Sequence, residues 1–149
     1  REIDSINMRA RQRMIDLVRA DIGMDLKGKR IAVLGAAFKP DSDDVRDSPA
    51  LDIAAQIAAA GADVRVHDPK AIEPARRRHP HLDYHEQIEE CIKDADVILH
   101  LTEWKIYREI DPVSIKGLVR QAVIIDGRNM LDRDLWRNAG WKFRALGRS

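Results

Sequence analysis

A single cysteine, Cys91, stands in 149 residues, so no internal disulfide can form. That usage fits a reducing compartment, and a cytoplasmic location is the expectation. Net charge is scarce as well: 26 Lys and Arg against 25 Asp and Glu leave +1. Without a field of one sign, neither nucleic acid nor a membrane surface is an expected partner. No apolar run is long enough to span a bilayer, and no secretory leader is recognisable. His79, His81 and His85 have no spacing that a metal site uses, so no metal is expected. Glycine is missing where one fold would demand it. The first strand-to-helix turn holds Gly35 alone, without G-x-G-x-x-G, so the dinucleotide fingerprint is absent. No fixed-period repeat or low-complexity segment appears.

What is present is a regular alternation of short apolar runs and helical patterns. Ile31–Leu34, Val64–His67, Val97–Leu101, Ala122–Asp126 and Trp141–Leu146 read as strands, with a weaker one near Leu82–Tyr84. Between them lie helical patterns over Ala50–Ala60, Ala71–Arg78, Glu86–Asp94, Asp111–Lys116 and Arg133–Ala139. This order predicts an α/β fold, Rossmann-like and doubly wound, with a mostly parallel sheet and helices on both faces. Ahead of it, Ile6, Ala10, Met14, Leu17 and Val18 mark one apolar face of a helix over Arg1–Ile22, whose arginines form a solvated or interfacial face. The sequence opens on Arg1 inside that helical pattern, so a piece of a longer protein is the expectation. The domain reading is 1–23 for this helix and 24–149 for the α/β domain.

Strand ends carry the functional signal. In an open α/β sheet, ligands sit outside the carboxyl ends of the strands. After the first strand, Phe38-Lys39 and Arg46 lie in a loop rich in aspartate (Asp41, Asp43, Asp44, Asp47) that ends at Ser48-Pro49, a helix N-cap and first turn. After the third long strand comes Trp104, and after the next, Arg128. Arginine grips two phosphate oxygens at once and lysine acts as a point charge, so this clustering points to a phosphate-bearing ligand. Two assignments stay open between roles. The aspartates could simply neutralise Lys39 and Arg46, and Trp104 could pack or touch ligand. Asp68, at the end of the second strand, stands where a ribose-binding acid would, but without the fingerprint it reads as a loop or capping residue.

The run GAAFKPDSDDVRDSPALDIA, with LTEW (Leu101–Trp104) and IDGRN (Ile125–Asn129), resembles the C-terminal, UDP-binding domain of the UDP-glucose 6-dehydrogenase family, over nearly the whole chain. That resemblance implies substrate contacts from Phe38, Lys39 and Arg128, and an NAD contact from Arg46. It implies an enzyme that oxidises UDP-glucose to UDP-glucuronate with two NAD, through a thiohemiacetal on a cysteine. The NAD domain and that cysteine would lie upstream, so no catalytic residue is assigned here and the fragment alone is not expected to be active. Cys91, beside Glu89 and Glu90, does not fit the cysteine motif and reads as a packed thiol. The first helix would be the tail of a long linking helix that pairs the full-length protein as a homodimer. The alternatives are the same domain of a UDP-N-acetylmannosamine or GDP-mannose dehydrogenase, or a non-catalytic nucleotide-binding module.

Overall fold

The computed structural model describes residues 2–146, with side chains in the first helix from Met8 onward. Arg1, the side chain of Ile6 and residues 147–149 lie outside the described residues. Three strands, β1 (Arg30–Leu34), β4 (Val97–His100) and β5 (Val123–Asp126), bury essentially every residue. Runs apolar on both faces can be stable only in the middle of a sheet covered from both sides. With β2 (Asp63–His67), β3 (Asp83–Tyr84) and β6 (Lys142–Ala145) they form one six-stranded sheet in the order β3-β2-β1-β4-β5-β6. Every pairing is parallel. The expected mostly parallel sheet is therefore wholly parallel, and all its carboxyl ends form one rim.

The helices α1 (Glu2–Ile22), α2 (Pro49–Ala59), α3 (Ile72–Arg78), α4 (Ile88–Ile92), α5 (Lys105–Arg108), α6 (Pro112–Ile115) and α7 (Arg133–Asn138) connect and cover the strands. Ser48 caps α2 as expected, its Oγ accepting from Leu51 N, and Pro49 takes the first turn. α2 turns Leu51, Ile53, Ala54 and Ile57 inward. In α1 the buried stripe is Met14, Ile15, Val18 and Ile22, while Ala10 and Leu17 are only half-buried. The expected face is thus rotated toward Ile15. Arg11 Nη1 meets Asp52 Oδ2 at 3.2 Å and pins α1 across α2.

The amino ends of the strands are tied by Asp96, which accepts from Arg30 N at 2.9 Å and Gln121 Nε2 at 3.0 Å. At the carboxyl ends the chain closes just as tightly. A Cβ on Gly35 would lie 2.5 Å from Thr102 Cβ and Oγ1 and 2.6 Å from Thr102 N, and Gly35 has φ +108°. Its absent side chain is what lets the loops after β1 and β4 touch. Gly35→Ala is expected to lower the unfolding free energy by about 3 kcal/mol, read as a shifted urea midpoint. Adding Thr102→Ala will not restore stability, because the backbone nitrogen stays in the way.

Candidate functional site

The strand order reverses between β1 and β4, and a crevice at that point is where this class of sheet takes ligands. Here the crevice is filled from inside. Asp68, following β2, accepts through Oδ2 from Ala36 N (2.8 Å), Ala37 N (3.1 Å) and Trp104 Nε1 (3.1 Å). Its Oδ1 accepts from Lys70 N (2.9 Å) and Ala71 N (2.8 Å). Gly35 N is spent on His67 O at 2.8 Å. Thr102 Oγ1 donates to Ala37 O at 2.8 Å and Ser48 Oγ to Ala36 O at 2.7 Å. The backbone N–H groups that would cradle a pyrophosphate in a dinucleotide fold are all committed to protein acceptors. Asp68 is therefore the loop-organising residue, and Trp104, 6% exposed, packs into the plug and does not face a ligand. Of the four rim features the sequence points to, Trp104 is the one turned inward.

The remaining cations lie outside that plug, on loops from the same rim. Phe38 is 47% exposed and Lys39 is exposed, with no ion pair among the described residues. Arg46 forks onto Asp44, with Nε to Oδ1 and Nη2 to Oδ2 both at 3.1 Å. The side-chain hydrogen bond of this pair holds the Asp44 carboxyl below its usual range and the Arg46 guanidinium above. Asp44 thus neutralises Arg46, while Lys39 is left over. Asp41 and Asp47 adopt left-handed backbone (φ 62° and 53°), which short polar side chains tolerate and which folds the loop back on itself.

Arg128 is set by Asp126, the last residue of β5. Asp126 is fully buried and accepts four backbone N–H groups: Arg128 and Asn129 on Oδ1 (2.9 and 3.1 Å), Met130 and Leu131 on Oδ2 (both 2.8 Å). His100 Nδ1, also fully buried, donates to Oδ1 at 2.8 Å. Burial works to raise the Asp126 carboxyl, but the His100 hydrogen bond, the Leu131 and Arg128 N–H groups and the His100 charge outweigh it and hold it at about 2. The turn delivers the Arg128 guanidinium onto Glu103, Nε to Oε1 at 2.9 Å and Nη2 to Oε2 at 3.2 Å. Beside it opens a small pocket of about 80 Å³ between α1, α2 and the loops after β4 and β5, lined by Arg11, Met14, Pro49, Leu101, Gly127 and Arg128. Gly127 allows this approach, since a Cβ there would come within 2.7 Å of Met14 Cε.

Arg46 and Arg128 are thus each held in a two-point carboxylate grip, a geometry that phosphate oxygens can also match. The Glu103 and Asp126–His100 contacts are what sequence reasoning missed. The separation of partners along the chain hides them, although an acid two residues before Arg128 in a strand-end turn was a usable hint. Cys91 is buried, with Sγ 3.9 Å from Val33 O, and burial pushes its thiol up to about 12. It is a packed side chain, and burial disfavours its thiolate.

A family model described as the UDP-binding domain of the UDP-glucose/GDP-mannose dehydrogenase family matches residues 32–133. The UDP-glucose 6-dehydrogenase TuaD of Bacillus subtilis is 37% identical over 143 residues, covering 95% of this chain and 31% of its own length. AglM of Haloferax volcanii, a UDP-glucose 6-dehydrogenase, is 40% identical over 122 residues, covering 82% of this chain and 27% of its own. Among solved structures, an NDP-N-acetyl-D-galactosaminuronic acid dehydrogenase from Methanosarcina mazei Go1 superposes with a TM-score of 0.81 at 31% identity, over 93% of this chain and 29% of that one. A UDP-glucose dehydrogenase from Pyrobaculum islandicum gives 0.74 at 28% identity, over 98% and 30%. The chain spans about a third of the length of the curated relatives it matches.

Proposed function

The chain belongs to the UDP-glucose/GDP-mannose dehydrogenase family, as its UDP-binding domain, and from that premise we propose that residues 24–149 form the substrate-binding domain of a UDP-glucose 6-dehydrogenase. In this reading the full-length protein oxidises UDP-glucose to UDP-glucuronate with two NAD. Residues 1–23 are the end of a helix that links this domain to an NAD-binding domain and pairs the protein as a homodimer. The catalytic cysteine belongs to that other part of the protein. Phe38, Lys39 and Arg128 hold the nucleotide sugar, and Arg46 reaches the cofactor.

The observation that carries the reading is the common rim. Loops after β1 and β5 of an all-parallel sheet bring Lys39, Arg46 and Arg128 to one side of the molecule. The turn after β1 does not fit NAD in the dinucleotide manner, because Ala36 and Ala37 N–H already donate to Asp68. NAD is therefore assigned to the other domain. What this chain's residues do is bind and orient: Arg128 exchanges the Glu103 carboxylate for a phosphate, and Lys39 adds a point charge.

Two measurements on the full-length enzyme test this. Assayed with NAD against UDP-glucose, UDP-N-acetylmannosamine and GDP-mannose, it is expected to oxidise UDP-glucose; turnover of a GDP sugar alone would overturn the choice. Arg128→Ala is expected to weaken UDP-sugar binding by about 1.5–3 kcal/mol, the worth of a charge-assisted contact. Arg46→Ala is expected to raise the KM for NAD and leave UDP-sugar affinity in place. Unchanged kinetics in both variants would mean that the pocket lies elsewhere.

A further inference from the structure

The two carboxylate–arginine pairs of the rim are built differently. Asp44 is two residues from Arg46 in the same loop, and the Arg46 side chain is 78% exposed. Glu103 is 25 residues from Arg128, on the exit of another strand. The backbone on both sides of Glu103 is locked. Thr102 N donates to Leu34 O at 3.4 Å, and its Oγ1 donates to Ala37 O at 2.8 Å. Trp104 N donates to Thr102 O at 2.9 Å, and its indole is tied to Asp68. Across the rim, Arg128 N donates to the buried Asp126 carboxylate at 2.9 Å. Two fixed backbones thus flank the pair, which can separate only by rotation of its side chains. Both side chains reach solvent, at 22% exposure for Glu103 and 36% for Arg128.

Burial pushes the Glu103 carboxyl up, but the Arg128 hydrogen bond, its own backbone N–H and the charges of Arg128 and His100 bring it below its usual range. Glu103 is therefore an anion at neutral pH. It occupies Nε and Nη2, one full side of the guanidinium. That side takes one oxyanion in a two-point grip, a carboxylate or a phosphate, and not both.

We infer that Glu103 is an intramolecular stand-in for the ligand's phosphate: the two hold the same side of Arg128 in turn, and Glu103 thereby sets the affinity of the rim. The inference rests on the reading of Arg128 as a phosphate contact. Apparent affinity is reduced by the fraction of molecules in which Arg128 is released from Glu103. Once displaced, the Glu103 carboxylate stands beside a ligand of its own sign and favours its departure. The competing geometry leaves Glu103 in place: the ligand would meet the far end of the guanidinium, Nη1 and Nη2, with Glu103 bracing it from behind. The two geometries predict opposite signs when the carboxylate is removed.

The test is calorimetric titration of the full-length enzyme with UDP. Glu103→Gln and Glu103→Ala should each tighten UDP binding by about fivefold, the effect expected of a partly exposed ion pair. Melting curves confirm that both variants fold. In an Arg128→Ala background neither change should alter the affinity, since the group competed for is gone. Unchanged or weakened binding in the two Glu103 variants would overturn the inference, because Glu103 would then be inert or a brace. Tightening that persists undiminished in the Arg128→Ala background would overturn it too, because Glu103 would be acting through its charge alone. The fate of the rim itself is read separately. Arg128→Ala that leaves UDP binding intact removes both readings; Arg128→Ala that weakens it while the Glu103 variants fail to tighten it removes this one only.

Discussion

Asp68→Asn is expected to cost the fold about 4 kcal/mol, a large share of the 5–15 kcal/mol typical of a domain. The reasoning is a count of donors. Asp68 accepts five N–H groups, three on Oδ2 and two on Oδ1. An asparagine can present its oxygen to only one set. Even in the better orientation, its NH₂ faces Lys70 N and Ala71 N, and two donors lose their acceptor in a site that is 2% exposed. Each orphaned buried group costs about 1–3 kcal/mol. The change also releases the turn after β2, since Lys70 N and Ala71 N lose the side chain they donate to. Urea unfolding followed by tryptophan fluorescence measures this directly, because the Trp104 indole is one of the five donors. A ribose-binding role for Asp68 makes the opposite prediction: a stable protein with weakened nucleotide binding.

The same residue shows how far sequence reasoning carries. That Asp68 ends a strand and organises a loop is legible from its position and the missing glycines, because Asx side chains habitually serve their own turn. That it also holds Trp104, 36 residues away, is not legible. An indole after a strand can face inward or outward, and only the three-dimensional path of the chain decides. The strands are read nearly to the residue, because a run buried on both faces leaves no choice of period: β4 and β5 are cases. The four-residue helix Lys105–Arg108 is missed because one turn has no periodicity to detect. α1 is recognised as a helix, yet its buried stripe is rotated by one position, since Ala10 and Leu17 are apolar enough to count but sit at the edge of the contact. At the rim, Arg46 and Arg128 stand out as cations after strands. Their partners, Asp44 and Glu103, differ in visibility: the first is two residues away in an acidic loop, the second is on another strand's exit.

Asp126→Asn should combine a loss of stability with a loss of binding, and its dependence on pH identifies the cause. Asp126 accepts four backbone N–H groups and the His100 ring nitrogen inside the protein. An amide again opposes at least two of those donors, so a cost of about 4 kcal/mol is expected at neutral pH, near the range for breaking a buried charge-assisted network. The turn that carries Arg128 hangs from these bonds, so UDP-sugar affinity should fall too. Arg128→Ala, by contrast, should lower affinity with little change in stability, because its partner Glu103 is partly exposed and the pair is screened. The pH arm follows from the carboxyl being held at about 2, against an ordinary value of 3.8. A depressed pKa means that the native state binds the proton more weakly than the unfolded chain. The contribution is complete above pH ~4 and is lost as pH falls through about 2, amounting to roughly 2 kcal/mol at 1.36 kcal/mol per unit. The wild type should therefore lose this increment on acidification and Asp126→Asn should not, so the gap between them narrows by about 2 kcal/mol between pH 5 and pH 2. A gap that stays constant across that range would mean that the four N–H groups and His100 do not stabilise the ionised carboxylate, and the account of how Arg128 is positioned would fail with it.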